Sequence, residues 1–538
     1  MLSHLFRKLR PVQATEPLET RRANGRIWHF RTGTAELLGG IPDIAEWEQR
    51  GWATLVKKNL QRSIWRVALP GGAIYFKLCR TNTPRAWIRD ILRPPKARLE
   101  FDNSLALRSH GIGCTEPLAW GMSDGLWPGD SFIVTREQSN AEPLDLFLER
   151  PLTPPRRREL AVALGAYLAK LRDAGVVHPD AHPGNFLIEW IDSPRFYLLD
   201  VHAVQTSTSP ADGNLVLLNR WFQMRSTRMD RLRFWRAYTS QKSKVLPKEL
   251  ESQTRESNRR FWQNRLSRYL GNNREYRQIR GPGVRGHAVK ELPEELLSLW
   301  IADSDGVFQG ATSTLLKDSR SSTVALFEHG GKKYIVKRFR RSGLLTGIKN
   351  RLRQSPALRS WNFGQSLRDR GLPTARPLAV LQRYRHGLPR EGYLIFEFIA
   401  DAVELPEAMV QASGTERQRL AETLGRLLRD VHDRGVSHRD LKAPNILIAD
   451  GQPVLIDLVG VRVGLKIADA ERIRNLARLN ASFADSALVT RTDRLRFVRA
   501  YSSWSSRPPA DWKAFWRAIA AGTLAKIEKN RRSGRVLA

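Results

Sequence analysis

Two aspartates and an asparagine in the first half of the chain have the spacing of a phosphoryl-transfer site. Asp180 and Asn185 lie in the segment GVVHPDAHPGN, and Asp200 ends the apolar run YLLD 15 residues after Asn185. An aspartate on a rigid loop can accept the proton of an attacking hydroxyl, and the other two residues can hold Mg²⁺ beside nucleotide phosphates. We therefore expect Asp180 to be the catalytic residue, with Asn185 and Asp200 as metal ligands.

A lysine upstream completes this set. Lys77 ends the run IYFK, which alternates as a strand does, and Glu100 lies on the helical stretch that follows. A lysine on such a strand can neutralise the α and β phosphates of ATP, and a helix glutamate can hold the lysine in place. The sequence thus predicts Lys77 and Glu100 as the nucleotide-binding pair of an ATP site.

The same pattern recurs 260 positions later. Lys337 in YIVK corresponds to Lys77, and the segment GVSHRDLKAPN contains Asp440 and Asn445, followed by Asp457 at the end of VLID. A period this long indicates a duplicated domain and not a solenoid repeat. We expect Asp440 to be the catalytic residue of the second copy, Asn445 and Asp457 its metal ligands, and Lys337 its nucleotide contact.

The second copy departs from the first at one position of the site. Ser360 stands where the helix glutamate Glu100 is expected, so Lys337 lacks its predicted partner. Lys442, two residues after Asp440, is expected to contact a phosphate. We therefore expect the first copy to be active, and we leave the second open as active, weak or a scaffold.

The sequence predicts, in both copies, the strands and helices that must position these residues. Alternating runs at 64–69 and 73–78, and again at 323–328 and 333–339, predict β-hairpins. Helical spacing predicts helices over 96–109, 157–174 and 417–434, the last two ended by Gly175 and Gly435. Mixed strands and helices in this order indicate an α+β fold.

Longer stretches of sequence resemble a known family. HRDLKAPN at 438–445 resembles the catalytic loop of protein kinases, and HPDAHPGN at 178–185 is similar to the loop of small-molecule kinases. The segments DRLRFWRAY at 230–238 and DRLRFVRAY at 493–501 resemble the C-terminal helices of the lipopolysaccharide core kinase (Kdo/WaaP) family. The resemblance implies two tandem protein-kinase-like domains, each with a small β-rich N-lobe and a mostly helical C-lobe. It also implies transfer of the ATP γ-phosphate to a hydroxyl of a lipopolysaccharide core sugar or related glycoconjugate.

Two departures from the kinase pattern keep other functions open. Neither copy has a glycine-rich phosphate loop; residues 59–63 and 318–322 stand in its place, so Ser, Arg and backbone N–H groups would cover the nucleotide. No A-P-E motif follows Asp200 or Asp457, which disfavours a protein Ser/Thr kinase, although HRDLKAPN favours one. A non-catalytic pseudokinase scaffold or regulator at the membrane surface is the other alternative.

Composition narrows the partners and the compartment. The 538 residues contain 89 Lys and Arg against 54 Asp and Glu, a net charge of +35, which indicates a polyanionic partner. No nucleic-acid module is present, so an anionic glycolipid or the anionic membrane surface is favoured. Two cysteines outside any CxxC motif, and no apolar run near about 18 residues, predict a cytoplasmic chain, peripheral at most on the membrane.

These observations give a predicted domain order. We expect a basic N-terminal extension at 1–45, which includes a short basic stretch at its start, and a first kinase-like domain at 46–240. A linker rich in Ser, Gln, Arg and Gly follows at 241–305, and a second kinase-like domain occupies 306–538.

Overall fold

Each half of the chain builds a seven-stranded antiparallel sheet followed by a mainly helical region. The computed structural model describes residues 17–207, 212–239, 246–310, 312–340, 354–386, 388–464, 466–484, 486, 489–503 and 511–532. Contacts within the chain divide it into two units, residues 1–258 and 259–538. The basic stretch predicted at the start of the chain lies outside the described residues.

The first unit has twelve described strands and nine helices that begin in it. The strands are β1 Glu19–Ala23, β2 Arg26–Phe30, β3 Ala53–Lys58, β4 Arg62–Leu69, β5 Gly72–Cys79, β6 Pro117–Ser123, β7 Ser131–Arg136, β8 Ala141–Pro143, β9 Val176–Val177, β10 Phe186–Trp190, β11 Pro194–Leu198 and β12 Gln205–Thr206. The helices are α1 Thr34–Leu37, α2 Ile44–Gln49, α3 Pro84–Leu92, α4 Lys96–Ser109, α5 Leu144–Phe147, α6 Pro154–Asp173, α7 Gly213–Arg225, α8 Arg228–Thr239 and α9 Pro247–Arg265. Short 3₁₀ turns lie at Pro183–Asn185 and Val201–Ala203.

The second unit repeats this order among its described residues. Its strands are β13 Tyr276–Gly281, β14 Val284–Val289, β15 Ser313–Asp318, β16 Ser322–His329, β17 Lys332–Phe339, β18 Pro377–Arg385, β19 Leu388–Glu397, β20 Val403–Glu404, β21 Val436–His438, β22 Ile446–Ala449, β23 Gln452–Leu455 and β24 Val461–Val463. Its helices are α10 Glu294–Ala302, α11 Pro356–Asp369, α12 Leu405–Gln411, α13 Gly414–Asp433, α14 Asp469–Ala481, α15 Arg491–Ser503 and α16 Trp512–Arg532. Short 3₁₀ turns lie at Leu266–Leu270, Gly306–Phe308, Ala443–Asn445 and Leu458–Gly460.

The two large sheets have the same strand order. The first runs β1-β2-β6-β7-β5-β4-β3, and the second runs β13-β14-β18-β19-β17-β16-β15. Within each unit the sheet and the helical region have separate apolar cores. The fold is therefore α+β with two kinase-like repeats, each with a β-rich N-lobe and a helical C-lobe, as the sequence predicted.

The hairpins and helices that carry the site agree with the sequence predictions. The first hairpin pairs β4 with β5 from Arg62–Cys79 to Leu69–Gly72, and β16 pairs with β17 in the same way. Helix α4 has the predicted bounds, and the long helices α6 and α13 end before Gly175 and Gly435, both with positive φ. A residue with a side chain is strained there, which is why glycine ends both helices.

The predicted domain boundaries differ from the structure in two places. Strands β1 and β2 fall in the predicted extension at 1–45, yet β2 pairs with β6 and Trp28 is fully buried. Strands β13 and β14 fall in the predicted linker at 241–305, yet β14 pairs with β18. Each hairpin closes through residues with positive φ, at Asn24–Gly25 and at Gly283. Asn-Gly and Pro-Gly are turn signals, so the folded units begin earlier than the charge-rich sequence suggested.

The repeated DRLRF segments form α8 and α15, which pack on the long helices α6 and α13. A side chain at Gly165 of α6 would collide with the backbone of Phe234, and one at Gly425 of α13 would collide with that of Phe497. Glycine thus permits the close approach of the two helices in both units. Among the described residues, no helix has the length and apolar content needed to cross a bilayer.

Candidate functional site

Lys77 of β5 forms an ion pair with Glu100 of α4. Its Nζ is 2.8 Å from Oε2 and 3.1 Å from Oε1 of Glu100, and both side chains are nearly buried. The same ammonium contacts Oδ1 of Asp200, just after β11. Burial by itself lowers the pKa of Lys77, but the two carboxylates outweigh burial and raise that pKa above its ordinary value. Three sequence-predicted residues of the first unit therefore meet at one point.

Asp200 also receives a second cation. Arg62, the first residue of β4, donates from Nη1 to Oδ2 of Asp200 at 2.7 Å. Burial raises the pKa of the Asp200 carboxyl, but Lys77 and Arg62 outweigh burial and lower it well below its ordinary value. Sequence analysis located only the segment 59–63 here, because nothing in the sequence distinguishes Arg62 among 89 Lys and Arg residues.

The backbone at Asp200 is strained. Asp200 has φ 56° and ψ 39°, and Asp457 of the second unit has φ 52° and ψ 63°. This left-handed conformation costs a residue other than glycine about 1 kcal/mol or more and often occurs at functional sites. Both units have this strained conformation at the aspartate that the sequence predicts as a metal ligand.

The loop that carries Asp180 is held by backbone hydrogen bonds from side chains. Nδ1 of His178 accepts from the backbone N–H of Asp180 at 3.1 Å, so Nε2 carries the proton and donates to the carbonyl of Leu199 at 2.9 Å. Asn185 donates from Nδ2 to the Asp180 carbonyl at 2.8 Å. The Asp180 carboxylate itself is 76% exposed. The loop is thus fixed while its acidic side chain faces the solvent.

Asn214 of α7 anchors this loop and was missed by sequence analysis. Its Oδ1 accepts from the backbone N–H of His178 at 2.7 Å, and its Nδ2 donates to the carbonyl of Val176 at 2.7 Å. Asn475 of α14 accepts from the N–H of His438 at 2.8 Å in the second unit. The 261-residue offset between the two asparagines is the sequence signal that could have found them.

A group of three ligand-type side chains surrounds Lys77. Atoms of Glu100, Asp200 and His202 lie within 4.8 Å of one another, and burial lowers the pKa of His202. The Lys77 ammonium contacts both carboxylates, so the cation that these three side chains hold is Lys77 itself. The side-chain oxygens of Asp200 and Asn185 form a different donor set, of the oxygen type that Mg²⁺ prefers.

The second unit keeps the lysine and the aspartate but not the glutamate. Nζ of Lys337 is 2.7 Å from Oδ1 of Asp457. Ser360, in the Glu100 position, is 1% exposed, and its Oγ has no hydrogen-bond partner among the described residues. Ser322 of β16 stands where the first unit has Arg62 and contacts Ser319. Within the part of the chain that the structure describes, Lys337 therefore has one acidic partner where Lys77 has two.

The catalytic-type loop of the second unit has the geometry of the first. Nδ1 of His438 accepts from the N–H of Asp440 at 3.1 Å, and Nε2 donates to the carbonyl of Asp457 at 3.1 Å. Asn445 donates to the Asp440 carbonyl at 2.8 Å. Lys442 brings Nζ within 3.3 Å of Oδ1 of Asp440, and both are about half exposed.

This arrangement suits chemistry on an anionic substrate. In the first unit two partly buried cations, Lys77 and Arg62, lie beside the ionised Asp200. The exposed Asp180 lies on a loop that Asn185 helps to fix. Such a set can bind phosphates with its cations and accept a proton at the exposed carboxylate. The strand order, the lysine–glutamate pair and the loop define the class as a protein-kinase-like fold.

Comparison with known proteins places the chain more narrowly. The lipopolysaccharide kinase (Kdo/WaaP) family matches residues 71–238 and again 315–501. The two matches together cover more than half of the chain, and the chain belongs to this family.

Individual relatives match parts of the chain. The 3-deoxy-D-manno-octulosonic acid kinase of Haemophilus influenzae is 34% identical over 124 residues, which are 22% of this chain and 50% of that protein. The lipopolysaccharide core heptose(I) kinase WaaP of Pseudomonas aeruginosa is 30% identical over 195 residues, 32% of this chain and 71% of that protein. A solved structure, WaaP in complex with acyl carrier protein, is 22% identical with a TM-score of 0.34 and covers 45% of this chain and 97% of that chain. The chain spans about half the length of the octulosonic acid kinases that it matches.

Proposed function

We propose that this protein is an ATP-dependent phosphotransferase that transfers the γ-phosphate to a hydroxyl of a lipopolysaccharide core sugar or a related glycoconjugate. The observation that carries the proposal is the contact of Lys77 with both Glu100 and Asp200 in the first unit. A lysine held in this way is ready to receive nucleotide phosphates. The names of the family and its relatives support the sugar acceptor.

Asp180 would orient the acceptor hydroxyl and accept its proton. Its carboxylate is exposed, and its backbone is fixed by His178 and Asn185. Burial lowers the pKa of His178, so its ring stays neutral and keeps the hydrogen bonds that fix the loop. A fixed backbone with an exposed carboxylate restricts the approach of the hydroxyl to one direction, which contributes to rate by positioning.

Lys77 would bind the α and β phosphates, with Glu100 keeping its position. Asn185 and Asp200 would hold Mg²⁺, and the fit rests on their oxygen donors and on the ionised state of Asp200. When bound, Mg²⁺ would neutralise charge on the phosphates during transfer. Arg62 lies within the predicted nucleotide cover at 59–63, as the first residue of β4, where it can contact a phosphate instead of Asp200.

The second unit is proposed to bind a nucleotide weakly or to support the first without reacting. The buried Oγ of Ser360, for which the described part of the chain offers no hydrogen-bond partner, favours this over a second active site. Lys442 would contact a phosphate if a nucleotide enters. We also propose that the two units descend from one duplicated domain, which their identical strand orders support.

The cytoplasmic membrane face is the proposed place of the reaction. A net charge of +35 exceeds what two nucleotides would neutralise. An anionic glycolipid in an anionic membrane would use the excess. Peripheral contact with that surface is therefore part of the proposal.

Substitution of the two loop aspartates, singly and together, tests the proposal. The purified full chain is incubated with ³²P-labelled ATP and lipopolysaccharide from a strain that lacks core kinases, and label in the lipid and protein fractions is counted. We expect Asp180→Asn to lower transfer to lipopolysaccharide by about 10²- to 10⁴-fold, the usual range for loss of a general base. Asp440→Asn should change it by less than a factor of about two.

The exposed Asp192 of the β10–β11 turn provides a matched control, because Asp192→Asn removes one charge outside the site. Label in protein instead of lipid would indicate a protein kinase. Undiminished transfer by the Asp180→Asn/Asp440→Asn double variant would contradict both proposed sites. Loss with Asp440→Asn alone would place the reaction in the second unit.

A further inference from the structure

The first unit exposes a cluster of large apolar side chains on its N-lobe. Leu60 is 85% exposed at the tip of the β3–β4 turn, and Leu126 and Trp127 are 100% and 70% exposed at the tip of the β6–β7 turn. Helix α3 adds exposed Trp87, Ile88 and Leu92. We call these six residues the apolar face.

Contacts between the three segments place the apolar face on one side of the N-lobe. The rings of Trp87 and Trp127 lie 5.8 Å apart, which joins α3 to the β6–β7 turn. Thr81 donates to the carbonyl of Gly129 at 2.9 Å, and Asn82 donates to the carbonyl of Leu60. The two turns and the helix therefore project their apolar side chains from a single connected surface.

Basic residues accompany the apolar face. The sequence from 80 to 98 contains six Arg or Lys residues and a single acidic residue, Asp90. Asp90 is already paired with Arg89 at 2.6 Å. Arg93, at the end of α3, is exposed beside Leu92. The surroundings of the apolar face are therefore cationic along α3, whereas the β6–β7 turn carries Asp124, which lies 3.9 Å from Arg22, and Asp130, which accepts from the backbone N–H of Thr81.

We propose that the apolar face docks the first unit onto an anionic lipid bilayer, with Trp127 and Leu126 inserted among the acyl chains and the arginines among the headgroups. Projecting turn tips with fully exposed Leu suit a soft medium, whereas a protein partner would need a pocket for each tip. Trp and Arg side by side are typical of the membrane interface. The bilayer is the occupant that meets both the apolar and the cationic part of this surface.

The apolar face also lies next to the site, and in this respect it rests on the proposed function. Arg62, which binds Asp200, is two residues from Leu60, and the backbone carbonyl of Leu60 belongs to the same turn. Docking through this turn would bring the nucleotide site close to the membrane surface, where a glycolipid presents its sugars. The apolar face thus supplies a reason for the acceptor to be lipid-linked.

Vesicle sedimentation of the full chain, without nucleotide or acceptor, tests the proposal. The vesicles are phosphatidylcholine alone or phosphatidylcholine with phosphatidylglycerol. We expect the wild type to bind the anionic vesicles and to be released by salt. Leu126→Ser/Trp127→Ser should lower the partition coefficient about tenfold or more, since each side chain loses its apolar burial.

A matched control and a second variant separate the apolar and ionic contributions. Leu146→Ser/Ile191→Ser removes two exposed apolar side chains outside the apolar face and should leave binding unchanged. Arg93→Glu should weaken binding to the anionic vesicles by several-fold, about as expected for reversal of one charge near the surface. Nucleotide binding and thermal unfolding of every variant should match those of the wild type.

Three results would overturn the proposal: no binding of the wild type to anionic vesicles, equal binding of the Leu126→Ser/Trp127→Ser variant, or a wild-type dimer that this variant converts to a monomer. The last would make a second copy the occupant. Asp180→Asn should bind vesicles as the wild type does. If vesicles are bound but no acceptor is phosphorylated, the proposed function fails and the docking surface stands. If a delipidated core oligosaccharide is phosphorylated but no vesicles are bound, the docking surface fails and the proposed function stands.

Discussion

The two units hold their predicted catalytic loops in the same way and differ in the charges around the lysine. In both, a histidine ring and an asparagine side chain fix the loop, with the distances in one unit within about 0.2 Å of those in the other. In the first unit Lys77 contacts Glu100 and Asp200, and Arg62 adds a second cation to Asp200. In the second, Lys337 contacts Asp457.

The difference shows that the loop alone does not define a working site. Backbone hydrogen bonds that shape a loop also stabilise the fold, so they persist whether or not a reaction takes place. A buried lysine, in contrast, needs acidic partners to stay charged and fixed. Loss of catalytic function is therefore expected to change the residues around the lysine, Lys77 or Lys337, before it changes the loop.

Exchange of the helix residue is expected to have the largest effect on this comparison. Glu100→Ser gives the first unit the residue of the second, and it should lower kcat/KM for ATP by about 10- to 10²-fold because Lys77 loses a buried ion pair. The converse change, Ser360→Glu in an Asp180→Asn background, should raise any residual transfer. Steady-state transfer of label from ATP measures both.

Glu116 supplies the control for this exchange, because it is also an ion-paired glutamate of the first N-lobe but lies outside the site, with Arg136 at 2.9 Å. Glu116→Ser should leave kcat/KM nearly unchanged. If Glu100→Ser is as active as the wild type, the lysine pair does not distinguish the two units. If Ser360→Glu has no effect, the second unit lacks more than this glutamate.

Exchange at the first residue of the hairpin strand should have a smaller effect. Arg62→Ser gives β4 the residue that β16 has at Ser322, and it removes one of two cations from Asp200. A metal then competes with one cation fewer, and we expect the Mg²⁺ concentration for half-maximal transfer to fall up to about tenfold, which corresponds to about 1.4 kcal/mol. Titration of activity and of nucleotide binding with Mg²⁺ measures the change.

Arg66 of the same strand is the matched control, since it is paired with Glu137 at 2.7 Å away from the site. Arg66→Ser should leave the Mg²⁺ dependence unchanged. A rise in the KM for ATP with an unaltered Mg²⁺ requirement would instead assign Arg62 to a phosphate. If neither the KM for ATP nor the Mg²⁺ requirement changes, the Arg62–Asp200 pair contributes to neither phosphate binding nor metal binding.

The spacing of residues in the sequence predicts part of the difference between the two units. The residues that were found are fixed by local patterns: the lysine by strand alternation, Glu100 by the helix over 96–109, and Asp180 by the loop motif. Each pattern places its residue within an element, and the fold brings the elements together. Ser360 was recognised as a departure by the same offset.

The remaining part depends on contacts across the chain. Arg62 and Asp200 are 138 residues apart, and no local pattern of either residue encodes their pairing. The hairpins that begin each sheet were missed for a different reason, because charged residues hid the alternation of ETRRANGRIWHF. Its Asn24–Gly25 turn was visible and would have corrected the boundary.

A buried position of the long helices differs between the two units and should make their stability in acid differ. His432 of α13 is fully buried and bonded to Tyr501 at 2.8 Å, and burial, with Arg472 nearby, lowers its pKa to about 3. The corresponding residue of α6 is Arg172, which is equally buried, donates to the carbonyl of Tyr238 and lies over its ring at 4.7 Å. The lowered pKa of His432 means that its ring is neutral in the folded unit near neutral pH.

The sign of the effect follows from this difference. Because the folded pKa of His432 is below the unfolded value of about 6.5, its contribution to stability is complete above pH 6.5 and is lost as the pH falls toward 3. At pH 5 the loss is about 2 kcal/mol, or about 4–8 °C in the unfolding temperature of a unit of this size. Hydrogen exchange of peptides from α6 and α13 between pH 7.5 and 5, corrected for intrinsic rates, should show greater loss of protection in α13.

His432→Gln distinguishes the effect of His432 on acid stability from the effects of the other buried histidines. His178 and His438 occupy matching positions and should affect both units alike, so the variant should reduce the extra acid sensitivity of α13 while that of α6 stays the same. Equal acid sensitivity of the two helices in the wild type would contradict the prediction. The buried ring of His432 would then reduce stability in acid no more than the buried guanidinium of Arg172 does.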